Sequence, residues 1–190
     1  MKVVKNIIMS LLFAVLTLSH SASYAQDNED SVFVSGRLGV GGPNGVCPGN
    51  CSAEPSGTIG FGYDYTHMSS ILGAVRNAVS IEYTRQQLYI NGKVLDVTVK
   101  GITLNPGMSF GEDDRFTLAL SFQWGVVTTS GQNIPERKET GWGGRSGGDL
   151  YYHVGSNLDL MIGLTTIDIN TSTLPLFISY TTDVGLRWHL

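Results

Sequence analysis

Residues 116–126 read FTLALSFQWGV, and large apolar side chains occupy every second position of this stretch. These side chains are Phe116, Leu118, Leu120, Phe122, Trp124 and Val126. An uninterrupted period of two predicts a β-strand with one apolar face. The strand is longer than the roughly five or six residues common in globular sheets, and it matches the roughly 9–11 residues that cross a bilayer at a tilt.

The same alternation recurs along the chain. It extends over residues 176–190 at the C-terminus, where most even-numbered residues are apolar. Shorter stretches with this period occupy residues 32–40, 59–66, 79–84, 95–100, 149–154 and 158–165. Together these segments predict eight strands.

The two faces of the predicted strands differ in composition. One face is almost entirely aliphatic and aromatic. The other mixes Gly, Ser and Thr with charged residues, namely Arg37, Asp64, Glu82, Lys100, Asp149, Asp159, Asp183 and Arg187. In a soluble sandwich or lipocalin-like barrel the apolar face would point inward, whereas in a membrane barrel it points outward to lipid.

Three features favour the membrane version: the even number of strands, the alternation of long and short connections, and aromatic residues near strand ends. These aromatic residues are Tyr63, Tyr65, Tyr83, Trp124, Tyr180 and Trp188. We therefore predict an all-β fold, a closed antiparallel up-and-down transmembrane β-barrel of eight strands. Because side chains nearly fill a barrel of eight strands, we expect the charged face to form interior ion pairs rather than a porin-like channel.

The N-terminal segment has the order of a secretory signal peptide. Lys2 and Lys5 precede an apolar stretch at residues 7–18, and Ser23-Tyr24-Ala25 follows as a small-x-small cleavage site. The apolar stretch is shorter than the roughly 20 residues of a spanning helix. We predict cleavage after Ala25 and a single domain at residues 26–190.

The charge of the chain excludes one class of partner. The sequence has 12 basic and 16 acidic residues, and without Lys2 and Lys5 the basic residues fall to 10. This acidic balance argues against a nucleic-acid partner. No later segment offers 18 consecutive apolar residues, which leaves a secreted soluble protein or a membrane protein built from strands.

The connections predict an orientation. With the N-terminus in the periplasm, the long connections at residues 41–57 and 130–148 face outside, and the tight turns at 111–114 and 155–157 face the periplasm. Residues 68–78 are an exception, since this predicted periplasmic turn is long and has an apolar spacing that suggests one or two helical turns.

The C-terminal residues 183–190 read DVGLRWHL, with Asp183, Gly185, Trp188 and Leu190 in the pattern of the assembly signal of outer-membrane barrels. Leu190 stands where such signals most often have Phe. With the layout of residues 26–190, this pattern resembles the OmpA/OmpX-like family of small eight-stranded outer-membrane β-barrels. The resemblance implies a Gram-negative outer membrane, delivery by periplasmic chaperones and insertion by the barrel assembly machinery. It implies no particular activity, because the family's functions are diverse.

Two features of the long connections invite a functional interpretation. Cys47 and Cys51, in an oxidising compartment and separated by Pro-Gly-Asn, predict a disulfide. The connection after residue 130 is either a solvated loop or a contact site. In the second case Arg137, Lys138, Trp142 and Arg145 would anchor an interface or meet lipopolysaccharide phosphates.

Two classes of function remain. The first is a non-enzymatic envelope protein, monomeric and without cofactor or metal, that contacts host, phage or lipopolysaccharide through its loops. The alternatives are a lipid A deacylase or acyltransferase and a soluble periplasmic ligand-binding barrel. His67, His153 and His189 are expected to gather at the periplasmic rim, away from outer-leaflet lipid A, and no nucleophile–base–orienter set is evident in the sequence. This favours the first class.

Overall fold

The computed structural model describes residues 30–43, 52, 54–69, 73–90, 93–131, 139–170 and 177–190. The strands are β1 (Ser31–Pro43), β2 (Glu54–Ser69), β3 (Gly73–Ile90), β4 (Lys93–Phe110), β5 (Phe116–Gly131), β6 (Glu139–His153), β7 (Leu158–Asn170) and β8 (Phe177–His189). A short 3₁₀ helix, Glu112–Asp114, joins β4 to β5. Within the described ranges, no helix has the length and apolar character needed to cross a membrane.

The eight strands form a closed antiparallel barrel in which each strand pairs with its sequence neighbours and β1 pairs with β8. Closure gives every strand a hydrogen-bonded neighbour on both sides, so the sheet has no open edge strand. The predicted architecture is confirmed. Both β1 and β8 have one end, at Ser31 and His189, on the same side of the barrel. We call this side the terminal end and the opposite side the far end.

The predicted turn at residues 68–78 is wrong in most of its length. β2 continues to Ser69 and β3 starts at Gly73, with Tyr65 paired to Asn77 and His67 to Val75. Ladder pairing satisfies backbone N–H and C=O groups that a long turn would leave without partners. The connection between the two strands is therefore restricted to residues 70–72.

The predicted long connection at residues 130–148 is also largely strand, because β6 begins at Glu139. Its glycines allow neighbouring strands to approach closely. A Cβ atom on Gly147 would lie 2.2 Å from the carbonyl oxygen of Leu164, which is closer than a non-bonded contact of a Cβ atom allows. A strand rich in glycine has few side chains that could show an alternating pattern, so the sequence concealed it.

The two faces of the wall are oriented as the membrane version predicts. Outward apolar residues are exposed, for example Leu38 and Trp124, each at 72%. Seven of the eight charged residues expected in the interior are indeed buried there, namely Arg37, Asp64, Glu82, Asp149, Asp159, Asp183 and Arg187. The eighth, Lys100, points outward and is exposed, which corrects the prediction for this residue.

Candidate functional site

An ion-pair network fills the middle of the barrel. Arg37 Nη1 lies 2.6 Å from Asp149 Oδ1 and 3.7 Å from Asp183 Oδ1. Arg145 Nη2 donates to Asp183 Oδ2 at 2.9 Å, and its Nη1 lies 3.5 Å from Glu82 Oε2. Each side chain is at most 4% exposed, so the network closes the lumen by direct pairing of buried charges.

Arg187 extends this network toward the terminal end. Its guanidinium donates to Asp64 Oδ2 at 3.1 Å and to the Tyr151 hydroxyl at 2.8 Å. The same group lies 4.1 Å from the centroid of the Phe33 ring and 4.3 Å from that of Tyr151. Arg187 is therefore held between two aromatic rings by cation–π contacts.

Asp159 organises a second polar cluster at the terminal end. Its two carboxylate oxygens lie 2.6 Å from His153 Nδ1 and 2.8 Å from His189 Nε2. Arg76 contacts both imidazoles and also donates to Asp64 Oδ2 at 2.9 Å. The expectation that His153 and His189 gather at one rim is confirmed, whereas the side chain of His67 lies outside the described part of the structure.

A hydrogen-bonded chain crosses this cluster. Ser31 Oγ lies 2.8 Å from His189 Nδ1, and the opposite ring nitrogen contacts Asp159. The order hydroxyl, imidazole, carboxylate is that of a nucleophile–base–orienter set. This arrangement is not evident in the sequence, because Ser31 and His189 are brought together only by the closure of β1 on β8.

A small cavity adjoins Arg76 and His153 of this cluster. The adjoining cavity is lined by Asp64, Arg76, Ala78, Asn105, Thr117, Ala119, Tyr151, His153 and Arg187. It leaves about 10 Å³ for the centres of water molecules, which is room for about one water. Among the described residues, no group of three His, Cys, Asp or Glu side chains is arranged to hold a metal ion. The geometry is that of a packed plug.

The far end has a different interior. Six apolar side chains from β3, β4, β5 and β7 meet inside the barrel and are at most 1% exposed; we call them the upper core. They are Leu88, Val97, Val99, Val127, Ile167 and Ile169. At the same level most outward positions of these strands are polar, as shown by Arg85, Asp96, Ser130 and Asp168, with Tyr89 and Val94 as exceptions. In these strands the far end is therefore apolar inside and mostly polar outside, the reverse of the pattern nearer the terminal end.

This inversion explains the position of Lys100. The pairing of β4 with β3 runs without a bulge from Val75 opposite Met108 to Ile90 opposite Lys93, so the direction of successive side chains never changes. The chemistry changes instead: Val97 and Val99 are buried inside, whereas Ile102 and Leu104 are exposed outside. A residue type that faces lipid in one part of β4 faces the core in another.

The other sequence-predicted residues have the following positions. Trp142 lies on the outward face of β6 and is 66% exposed. Arg145 is 2% exposed within the interior network, so the hypothesis that it contacts a partner from a loop is wrong. Its charge is already occupied by Asp183 and Glu82. Arg137, Lys138, Cys47 and Cys51 lie outside the described residues, and the disulfide stays a prediction.

The residues of the predicted assembly signal alternate across the wall. Asp183 is buried in the interior network, whereas Trp188 and Leu190 point outward and are 53% and 71% exposed. A Cβ atom on Gly185 would lie 2.3 Å from the carbonyl oxygen of Gly36, so only glycine allows β1 and β8 to approach here. These positions are compatible with a signal read from the outer surface of β8, which stays a prediction.

Solved structures with the same architecture include Neisserial surface protein A, which matches at a TM-score of 0.61 and 17% identity over 85% of this chain and 99% of that chain. The shared architecture is decisive for the class of fold. This chain has the fold of the small outer-membrane barrels.

Other matches have the same outer-membrane barrel fold. Ail, the attachment invasion locus protein of Yersinia pestis, solved with the heparin analogue sucrose octasulfate, matches at a TM-score of 0.52 and 13% identity over 85% of this chain and 97% of that chain. The outer-membrane enzyme PagL matches at 0.50 and 13% identity over 82% and 97%. No protein-family model and no curated protein sequence matches the chain. The fold therefore accommodates both an attachment protein and an enzyme, and function must be argued from the residues.

Proposed function

We propose that this chain is a non-enzymatic outer-membrane protein that presents its far end at the cell surface as a binding scaffold. In this proposal the signal peptide is removed after Ala25, and the terminal end lies in the periplasm. One observation carries the proposal. In the terminal and middle parts of the barrel the apolar side chains point outward, whereas at the upper core they point inward and the outer face is mostly polar. A wall that is apolar outside suits lipid, whereas a wall that is polar outside and apolar inside suits water.

The extent of the apolar band supports a membrane position. On β5 the outward apolar residues run from Phe116 to Val126, which agrees with the roughly 9–11 residues of a spanning strand. Beyond them, Thr128 and Ser130 point outward on the same strand. The barrel therefore continues past the lipid as a short water-exposed section with its own core.

The interior supports a scaffold rather than a channel or an enzyme. The upper core excludes water at the far end, and buried ion pairs fill the middle. The hydroxyl–imidazole–carboxylate chain of Ser31, His189 and Asp159 lies at the terminal end, which faces the periplasm in the proposed orientation. A catalytic base must be within hydrogen-bond reach of the reacting group, and outer-leaflet lipid A lies across a bilayer core of about 30 Å.

Surface labelling of introduced cysteines tests the orientation. In a background with Cys47 and Cys51 replaced by Ser, Asp168→Cys places a thiol at the far end and Asp113→Cys places one in the turn at the terminal end. Both original side chains lie outside the barrel interior, on the exposed surface. A membrane-impermeant maleimide should label Asp168→Cys on intact cells and Asp113→Cys only after lysis. Labelling in the reverse order would overturn the proposed orientation.

A further inference from the structure

Lys100 lies on the outer wall at the boundary between the apolar band and the mostly polar surface of the far end. It is opposite Tyr83 in the ladder, and its Nζ lies 5.4 Å from the centroid of the Tyr83 ring. Toward the terminal end the next outward residues are Ile102 and Trp124, which are 58% and 72% exposed. Toward the far end the next outward residues, Arg85, Thr98 and Thr128, are polar. The ammonium group therefore lies at the level at which an apolar band gives way to water.

Arg85 is the neighbouring cation on the same outer surface. It is opposite Thr98 in the β3–β4 ladder, so it is a diagonal neighbour of Lys100, and diagonal side chains of this length can meet at one ligand. Asp96 Oδ1 accepts from Arg85 Nη2 at 3.1 Å and from Gln87 Nε2 at 3.2 Å. This pairing orients the guanidinium and leaves other N–H groups of it available, since arginine has five.

Among the described residues, the carboxylates near this place neutralise only one of the two cations. Asp96 pairs with Arg85, and within the described part of the chain no carboxylate lies at ion-pair distance from Lys100. The basic side chains that the structure describes as more than one third exposed are those of Arg85, Lys100 and Arg115, and Arg115 belongs to the turn at the terminal end near Asp113. Both outward cations of the far end thus lie together at the edge of the apolar band.

We propose that Lys100 and Arg85 form a binding site for a phosphate group of lipid A in the outer leaflet. The lysine acts as a compact point charge and the arginine as a planar donor to phosphate oxygens. Tyr83 lies beside Lys100, and Ile102 and Trp124 lie on the terminal-end side of it, where the acyl chains would begin. The inference rests on the proposed orientation, because only a far end at the cell surface brings these residues to the leaflet that contains lipid A.

The test uses the refolded mature chain in detergent micelles, titrated with bisphosphorylated lipid A or with dephosphorylated lipid A, and binding is read by native mass spectrometry. One basic residue near a charged membrane surface contributes about 1 kcal/mol, or about fivefold in affinity. Lys100→Gln with Arg85→Gln should therefore weaken binding of bisphosphorylated lipid A by about 20-fold or more. Dephosphorylated lipid A should bind the unmutated protein and this variant equally weakly.

Arg115→Gln is the matched control, since it removes an outward cation from the opposite end and should leave binding unchanged. Lys100→Arg keeps the charge and should retain most of the affinity. Folding of each variant is checked by the difference in migration between unboiled and boiled samples. Equal affinity of the double variant and the unmutated protein would overturn the site, as would competition by millimolar inorganic phosphate, which would indicate a site for free anions. Either result leaves the proposed orientation standing, whereas reversed cysteine labelling removes both proposals.

Discussion

Arg145 and Lys100 have the same charge but lie on opposite faces of the barrel wall. Arg145 is enclosed by Asp183, Glu82 and Thr165, and its planar, branched donor group suits several acceptors at once. Lys100 extends from the outer wall, where a flexible apolar stem can follow the surface while the ammonium reaches a polar layer. The sequence predicted Lys100 in the barrel interior and Arg145 in a surface connection. In the structure their positions are exchanged: Arg145 is buried and Lys100 is exposed.

The interior network predicts a large effect of removing Arg145. Arg145→Leu leaves Asp183 and Glu82 buried without their main partner, so the free energy of unfolding should fall by roughly 3–5 kcal/mol. The measurement is urea unfolding of the refolded barrel in lipid vesicles. Adding Asp183→Asn to this variant should restore part of the loss. Arg85→Leu, at an exposed position on the outer wall, should cost under about 1 kcal/mol; an equal cost for Arg85→Leu and Arg145→Leu would contradict the buried network.

At the scale of the strand, the direction in which a side chain of β4 or β5 points does not by itself determine whether that side chain is polar or apolar. Both strands keep an unbroken register, yet the apolar side chains point inward near the far end and outward elsewhere. A period of two reports that a strand is present, and it does not report which face is covered by lipid, water or protein. The strands of residues 116–126 and 176–190 were predictable because their long alternation lies mainly within the lipid-facing section. The glycine-rich β6 and the junction of β2 with β3 were not, because backbone pairing rather than side-chain pattern defines them.

The change of polarity along one strand can be tested by placing an arginine at two outward positions of β5 and comparing the loss in the free energy of unfolding. Leu120 and Ser130 both point outward on β5, but Leu120 lies in the apolar band and Ser130 beyond it. Leu120→Arg should lower the free energy of unfolding by roughly 2–4 kcal/mol, and Ser130→Arg by about 0–1 kcal/mol. Unfolding in vesicles of constant lipid composition gives both values. If Ser130→Arg were the more harmful of the two, the inversion of polarity at the far end would be refuted.

The whole molecule is a closed wall around three successive interiors. A cluster around Asp159 fills the terminal end, ion pairs fill the middle, and the upper core fills the far end. The sequence predicted the closed barrel and its buried charges, since both follow from alternation and strand number. It could not predict which charges pair, because partners such as Arg37 and Asp149 are joined only through the register of intervening strands. The same applies to Ser31, His189 and Asp159.

The central claim is that this wall faces lipid in its lower part and encloses a polar interior. Fractionation of cells that express the full chain, followed by unboiled and boiled samples of the outer-membrane fraction on a denaturing gel, tests it most directly. We expect recovery of the protein in the outer membrane and different migration of the two samples, because the closed barrel resists detergent until it is heated. Recovery of the protein in the soluble periplasmic fraction, with no difference between unboiled and boiled samples, would contradict it.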